Sequence, residues 1–237
     1  MIEAIVLAGG LGTRIRSVVK DRPKPMALIH GRPFLEYVLN YWQKQGVRRF
    51  ILSVGYRKEM IQAYFGKRYR KAEIEYSIER RPLGTGGGVL QAIEYLKTRR
   101  GFLVLNGDTF FEVSLRALKK HHADNQADFT LAMAGSASED RYERMELDRT
   151  SRVLDLKARG EGKKRAWING GVYWAEPACL REWLERPRDK ISLESKMIPE
   201  LIKTNHKVFG FKSRGRFLDI GTPASYKSAE NFLKEIR

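Results

Sequence analysis

Strands that run straight into glycine restrict this chain more than any other feature. Ile2–Ala8 is a short apolar stretch that breaks into Gly9, Gly10 and Gly12. Ile74–Ile78 leads into PLGTGGG at 82–88, and Phe102–Leu105 empties into Asn106-Gly107-Asp108. Between these points helical spacing takes over. Leu35, Val38, Leu39 and Trp42 share one face of a helix over Pro33–Gln45, opened by Pro33 and stopped by Gly46. Phe50–Val54 reads as a strand and Lys58–Phe65 as a helix closed by Gly66. PLGTGGG reads as a second glycine-rich loop, after which Val89, Ala92, Ile93 and Leu96 line one face of a helix. Alternation of this kind specifies an α/β fold with a mostly parallel sheet and helices on both faces. In such sheets ligands gather at the carboxyl ends of the strands, where all three glycine-rich loops lie.

Past residue 125 the rhythm changes. Asp128–Ala134, Arg144–Asp148, Arg152–Lys157 and Ile168–Ala175 read as strands with little helix between them. Short helices around Pro177–Leu184 and Glu194–Thr204 precede strands at Val208–Lys212 and Arg216–Asp219. A last helix carries Tyr226, Ala229, Leu233 and Ile236 on one side. With no linker, repeat or low-complexity segment, the expectation is a single domain over residues 1–237. Its 1–124 half is mostly parallel and its 125–237 half more antiparallel. A chain of 237 residues is well above the size at which burial becomes marginal.

Charge and cysteine content narrow the function. The chain has 45 Lys+Arg against 28 Asp+Glu, a formal charge of +17. Its basic clusters are scattered at the ends of predicted elements, which suits a solvated surface that concentrates phosphorylated small molecules; no nucleic-acid partner is expected. Cys179 is the sole cysteine, so an intramolecular disulfide or a thiolate metal cluster is excluded. No run approaches the roughly 18 apolar residues of a membrane span. MIEAIVLAGG lacks the basic start of a secretory signal. A cytoplasmic protein without a membrane partner is expected, and a homo-oligomer is compatible with this composition. His30, His121, His122 and His206 suggest neither a triad nor a zinc site, and His121-His122 with Asp124 reads as a solvated helix end. Cys179, Trp42, Trp167, Trp174 and Trp183 read as core or pocket wall.

The first glycine loop, Leu7 to Arg14, is followed by Lys24 between Pro23 and Pro25. A dinucleotide fingerprint would need a third glycine where bulky Ile15 stands, and no Walker string occurs anywhere. What remains is a loop whose backbone N–H groups can approach anionic oxygens, with a forked cation at Arg14. Two prolines of fixed φ hold the Lys24 backbone stiffly, and a preorganised ammonium is useful where charge builds on a phosphoryl group.

Six strings, in order, carry a family likeness: LAGGLGTRIRSVVKDRPKPMALIHGRPFLEYVL, EYSIERRPLGTGGG, VLNGDTFF, INGGVYW, SLESKMIPEL and FLDIGTPASY. Together they resemble the sugar-1-phosphate nucleotidyltransferases over nearly the whole chain. VVKDRPKPMA, the PLGTGGG form and the compact length are similar to the D-glycero-α-D-manno-heptose 1-phosphate guanylyltransferases of that family. The resemblance implies a Rossmann-like nucleotide-binding half and a sugar-phosphate-binding half. It also implies one reaction, in which an NTP (GTP in this subgroup) and a sugar 1-phosphate give an NDP-sugar and pyrophosphate. Other base and sugar pairings within the family are the alternative, and a basic nucleic-acid-binding module is a more distant one.

By the same resemblance Leu7, Ala8, Gly9, Gly10, Gly12, Thr13 and Arg14 hold the nucleotide and Lys24 its α-phosphoryl group, with Gly84 and Thr85 beside base and ribose. Asp108 and Asp219 are the implied ligands of Mg²⁺, and Arg14, Lys24 and Asp108 the catalytic set. Arg159, Asn169, Gly170 and Glu194 are implied to bind the sugar phosphate. Two departures stand out. Ala158 and Arg159 replace the family's usual Glu-Lys pair, and Glu143 stands where relatives commonly carry glycine.

Overall fold

The computed structural model describes residues 1–10, 12–136, 144–157, 166–186 and 190–234. β1 (Ile2–Leu7) sits inside the main sheet with β-strands on both sides. Ala4 and Val6 point into one apolar cluster and Ile5 into another, all fully buried. Burial on both faces is why the segment is apolar from Ala4 to Leu7, while Glu3, also buried, is paired with Arg49 at 2.7 Å. A small hairpin of β2 (Leu28–Ile29) and β3 (Arg32–Pro33) precedes α1 (Phe34–Lys44), which returns the chain to β4 (Val47–Val54), parallel to β1. α2 (Lys58–Phe65) and the edge strand β5 (Arg68–Tyr69) lead to β6 (Ala72–Ile78), parallel to β4. α3 (Gly84–Ala92) then carries the chain back to β7 (Phe102–Asn106), parallel to the other edge of β1. Strand order therefore reverses at β1, and such a reversal opens a crevice at the carboxyl ends of the strands.

The second half extends the same sheet. β8 (Thr109–Phe111) and α4 (Leu115–Asp124) are followed by β9 (Phe129–Ser136), β10 (Arg144–Leu147), β11 (Val153–Lys157) and the long β12 (Ala166–Ala175). β12 runs antiparallel to β7, β9 and β10, and β10 pairs antiparallel with β11. α5 (Arg181–Leu184) and α6 (Ile198–Lys203) precede β13 (Val208–Ser213), which pairs parallel with β9 and completes a ten-stranded mixed sheet. β14 (Phe217–Asp219) leaves that sheet and pairs with β8, and α7 (Pro223–Lys234) closes the described chain; the predicted contribution of Ile236 lies outside the described residues.

Two local expectations fail. PLGTGGG is not a loop, because α3 already begins at Gly84. Its glycines serve close packing: a Cβ on Gly86 would lie 2.9 Å from Ile191 Cγ2, and one on Gly88 3.0 Å from Ser53 Oγ. That fit, together with Gly86 N and Gly87 N donating to Ile191 O at 2.9 and 3.2 Å, outweighs the poor helix propensity of glycine. His121-His122 is not a solvated end either. His122 is buried with its Nδ1 2.8 Å from Thr130 Oγ1, and His121 packs on Phe209 and Phe211. Burial pushes the His122 pKa below its ordinary value. Nε2 lies 3.3 Å from Glu176 Oε1 without hydrogen-bond alignment, so the carboxylate offsets this only in part. Trp42, Trp174 and Trp183 are buried as expected, and so is Cys179, whose thiol burial raises to about 12.

Candidate active site

A cavity of about 510 Å³ opens where the carboxyl ends of β1, β6 and β7 meet. Leu7, Ala8, Gly9, Gly10, Gly12, Thr13, Arg14, Lys24, Gly84 and Thr85 all line it, together with Asp108 and Asp219. Every residue assigned from the resemblance to the nucleotide, the metal or the catalytic set thus faces one space. Two glycines of the first loop answer to their surroundings, Gly12 to its backbone conformation and Gly9 to the Glu79 carboxylate packed against it. A Cβ on Gly9 would lie 2.4 Å from Glu79 Oε1, while Gly12 has φ +58 and would bring a Cβ to 3.0 Å from Lys24 Cβ. Gly10 has neither constraint, and a Cβ there would meet nothing within 4 Å. What its bare backbone leaves free is the cavity side, where a ligand can come close.

Lys24 opens a single tight turn, Lys24–Met26, behind Pro23 at φ −66, with Met26 N donating to Pro23 O at 2.8 Å. Its side chain is 8% exposed, and the ammonium donates to the Asp108 carboxylate. Asp219 reaches the same corner through β8 and β14. Their pairing sets Asp219 opposite Thr109, and Ile220 N donates to Asp108 O at 3.1 Å. The Asp219 carboxylate is steadied by the Gly221 N–H, and a Cβ on Gly221 would stand 3.3 Å from Lys24 Nζ. Two strands from opposite halves therefore bring both aspartates beside one buried ammonium.

Asn169, Gly170 and Glu194 do not line this cavity; they form an adjoining group. β12 bulges between Asn169 and Val172, and Gly171, at φ +67, comes so close to Asn106 that a Cβ would lie 2.9 Å from its Nδ2. Such a bulge re-aims side chains next to a site. Gly170 is buried, with room for a Cβ denied by the Phe111 ring at 2.4 Å, so packing accounts for that glycine. Asn169 Nδ2 donates to Tyr173 OH at 2.7 Å, and Thr85 Oγ1 donates to Glu194 Oε2 at 2.6 Å. Arg159, like Ala158 and Glu143, lies outside the described residues.

Residues 3–236 match the family model described as Nucleotidyl transferase. The chain belongs to this nucleotidyl transferase family. The D-glycero-alpha-D-manno-heptose 1-phosphate guanylyltransferase of Aneurinibacillus thermoaerophilus is 43% identical over 236 residues, covering 98% of this chain and 99% of the relative. The protein of the same name from Campylobacter jejuni subsp. jejuni is 37% identical over 230 residues, covering 95% and 97%. The crystal structure of HddC from Yersinia pseudotuberculosis, solved also in complex with GMP-PN, is similar with a TM-score of 0.85 at 32% identity, covering 98% of this chain and 100% of that one.

Three polar side chains of this cavity are not singled out by the sequence: Glu79, Asn106 and Lys190. Glu79 follows β6 as Asp108 follows β7, so an acid just past a strand end was a visible signal. Its Oε1 accepts from Ser53 Oγ at 2.8 Å and its Oε2 from Leu83 N at 3.2 Å, which holds the carboxylate between the glycine loop and α3. Asn106 Oδ1 is buried without a hydrogen-bond partner. Lys190 left no pattern to find. It is an exposed cation placed by its neighbour Ile191, whose N–H donates to Leu83 O at 2.8 Å. Arg14, Lys24 and Lys190 thus offer three cations to a cavity that also presents three carboxylates, Glu79, Asp108 and Asp219. That mixture suits a polyanion held together with a cation.

Proposed function

We propose that the chain transfers the guanylyl group of GTP to D-glycero-α-D-manno-heptose 1-phosphate, forming a GDP-heptose and releasing pyrophosphate. The observation that carries this reading is the 43% identity, end to end, to a guanylyltransferase acting on that sugar phosphate. An oxygen of the sugar phosphate attacks the α-phosphorus of GTP. The P–O bond to the β-phosphate breaks, and its electron pair leaves on pyrophosphate. The attacking phosphate is already anionic, so no general base and no covalent intermediate are needed. Rate enhancement then comes mainly from positioning and charge neutralisation.

The chain's own parts divide that work. The amides around Gly10 cradle phosphate oxygens, and Arg14 adds a bidentate cation. Lys24, stiffened by its prolines and held by Asp108, meets the charge that develops at the α-phosphoryl group. Mg²⁺ fits the donor set. Asp108 and Asp219 present hard carboxylates at one corner of the cavity, and no group of three metal-binding side chains occurs among the described residues. A pair of that kind suits an ion that keeps waters and shares substrate phosphates. When bound by Asp108 and Asp219, the ion would neutralise charge on the substrate phosphates.

Guanine is supported by Glu79. A carboxylate can accept from N1–H and the N2 amino group of guanine together, whereas uracil and thymine offer one N–H flanked by carbonyl oxygens that it would repel. The test is a matrix of four NTPs against several sugar 1-phosphates with Mg²⁺, read by pyrophosphate release. GTP with the heptose 1-phosphate should give the highest kcat/KM. Release from no pair, or a preference for mannose 1-phosphate or another base, overturns the assignment.

A further inference from the structure

Thr85 stands on the nucleotide side, in the first turn of α3, yet its hydroxyl is committed elsewhere. Oγ1 donates to Glu194 Oε2 at 2.6 Å and accepts from Leu193 N at 2.8 Å. A hydroxyl has one proton to donate, and this one goes to the glutamate. The other oxygen, Glu194 Oε1, accepts from Tyr173 OH at 3.3 Å, and the same phenol accepts from Asn169 Nδ2 at 2.7 Å. Asn169 is pinned at its far end as well, since Oδ1 accepts from Gly171 N at 2.9 Å. One chain of hydrogen bonds therefore runs from α3 through Glu194 and Tyr173 to the bulge of β12.

Packing does not explain the phenol. Tyr173 is fully buried in an apolar cluster with Val104, Phe129 and Leu131, where phenylalanine would fill almost the same volume. A buried hydroxyl costs stability unless it is bonded, so its presence points to the groups it bonds. Glu194 itself sits in a π-helical turn, Leu193–Met197, capped by Ser192 accepting from Ser195 N at 3.0 Å. Single turns of that type concentrate at functional sites. Oε2 also accepts from Ser192 Oγ at 3.3 Å, whereas Oε1, which accepts from Tyr173, keeps lone-pair capacity for a sugar hydroxyl.

We propose that the Thr85 and Tyr173 hydroxyls are positioning groups for the acceptor, fixing Glu194 and Asn169 toward the ring hydroxyls of the sugar 1-phosphate. Thr85 thereby serves the sugar although it stands beside the nucleotide. The proposal rests on the acceptor role of Glu194 and Asn169 within the function given above.

Steady-state kinetics of Thr85→Val, Thr85→Ser, Tyr173→Phe and the Val/Phe double variant test it. The sugar 1-phosphate used is whichever the wild type turns over fastest, so an error in the heptose assignment is read separately. Thr85→Val and Tyr173→Phe should each raise the KM for sugar 1-phosphate about tenfold, the scale of one hydrogen bond to a charged group. The KM for GTP should stay within about twofold. Thr85→Ser, which keeps the hydroxyl, should restore the wild-type value. The double variant should lose less than the product of the single losses, because both groups act through Glu194. A Thr85→Val variant that raises the KM for GTP and not that for the sugar overturns the proposal. So does a Tyr173→Phe variant that melts earlier with its acceptor KM unchanged. A wild type that turns over no sugar 1-phosphate removes the parent function, and the proposal with it.

Discussion

Lys24→Met keeps the aliphatic stem of the residue and deletes its charge, and two consequences can be separated. The first is chemical. Lys24 is 8% exposed and borders the cavity beside both aspartates, so its ammonium acts where water screens it poorly. Removing one such preorganised donor costs about 10²–10³-fold in kcat, or about 2.7–4 kcal/mol. The second is structural, because Asp108 loses its ammonium partner. The Asp108 side chain is 31% exposed and recovers much of its hydration, so the loss is on the order of 1–2 kcal/mol, well short of breaking a fully buried pair. In a chain of this length each kcal/mol moves Tm by about 2–4 °C. Pyrophosphate release at saturating GTP and sugar phosphate gives kcat, and a thermal melt of the same preparation gives Tm. A kcat within about threefold of wild type, alongside the predicted fall in Tm, would make Lys24 only a prop for Asp108 and refute its catalytic role.

Gly86→Ala brings a Cβ to 2.9 Å from Ile191 Cγ2 and 3.2 Å from Ile191 O. Overpacking costs about 1–3 kcal/mol, against a gain of about 1 kcal/mol in helix propensity. Calorimetry should show a lower Tm, and an equal or higher one would mean that α3 packs loosely on the 190–193 segment. His122 is held below its ordinary pKa by burial, so as pH falls through about 6.5 the unfolded chain takes up a proton that the folded chain resists. Stability contributed by the neutral ring is therefore present above that range and lost below it. Wild-type Tm should drop more steeply between about pH 7 and 5.5 than that of His122→Gln, and equal slopes would refute the assignment.

Much of the frame could be read from the chain because β1, β4 and β7 are largely apolar and run into glycine, and β6 precedes the glycine-rich 84–88 segment. β1, β4, β6 and β7 follow from that pattern, and so does the position of the crevice between them. PLGTGGG was misread because local propensity argues against a helix there, whereas contacts with Ile191, Ser53 and Leu7 decide in its favour. The parallel pairing of β13 with β9 joins residues about eighty apart in sequence, and no local signal encodes it. His122 looked solvated because its burial depends on Thr130 and Trp174, which reach it only in the folded chain. At the site, the family resemblance singles out the glycines, Arg14, Lys24 and the two aspartates as a set, and the fold brings them to one cavity. Lys190 and the Thr85–Glu194–Tyr173 chain were not legible, because ordinary residue types acquire those roles only through their neighbours.

Divalent-ion affinity in the nucleotide complex bears most directly on the convergence of Asp108 and Asp219. Mn²⁺ can stand in for Mg²⁺ and be titrated by electron paramagnetic resonance into GTP-saturated wild type, Asp108→Asn and Asp219→Asn. Both variants should bind the ion at least about tenfold more weakly, the change expected when one hard ligand is withdrawn from a shared site. Wild-type affinity in either variant would contradict the claim that both halves of the fold grip a single ion.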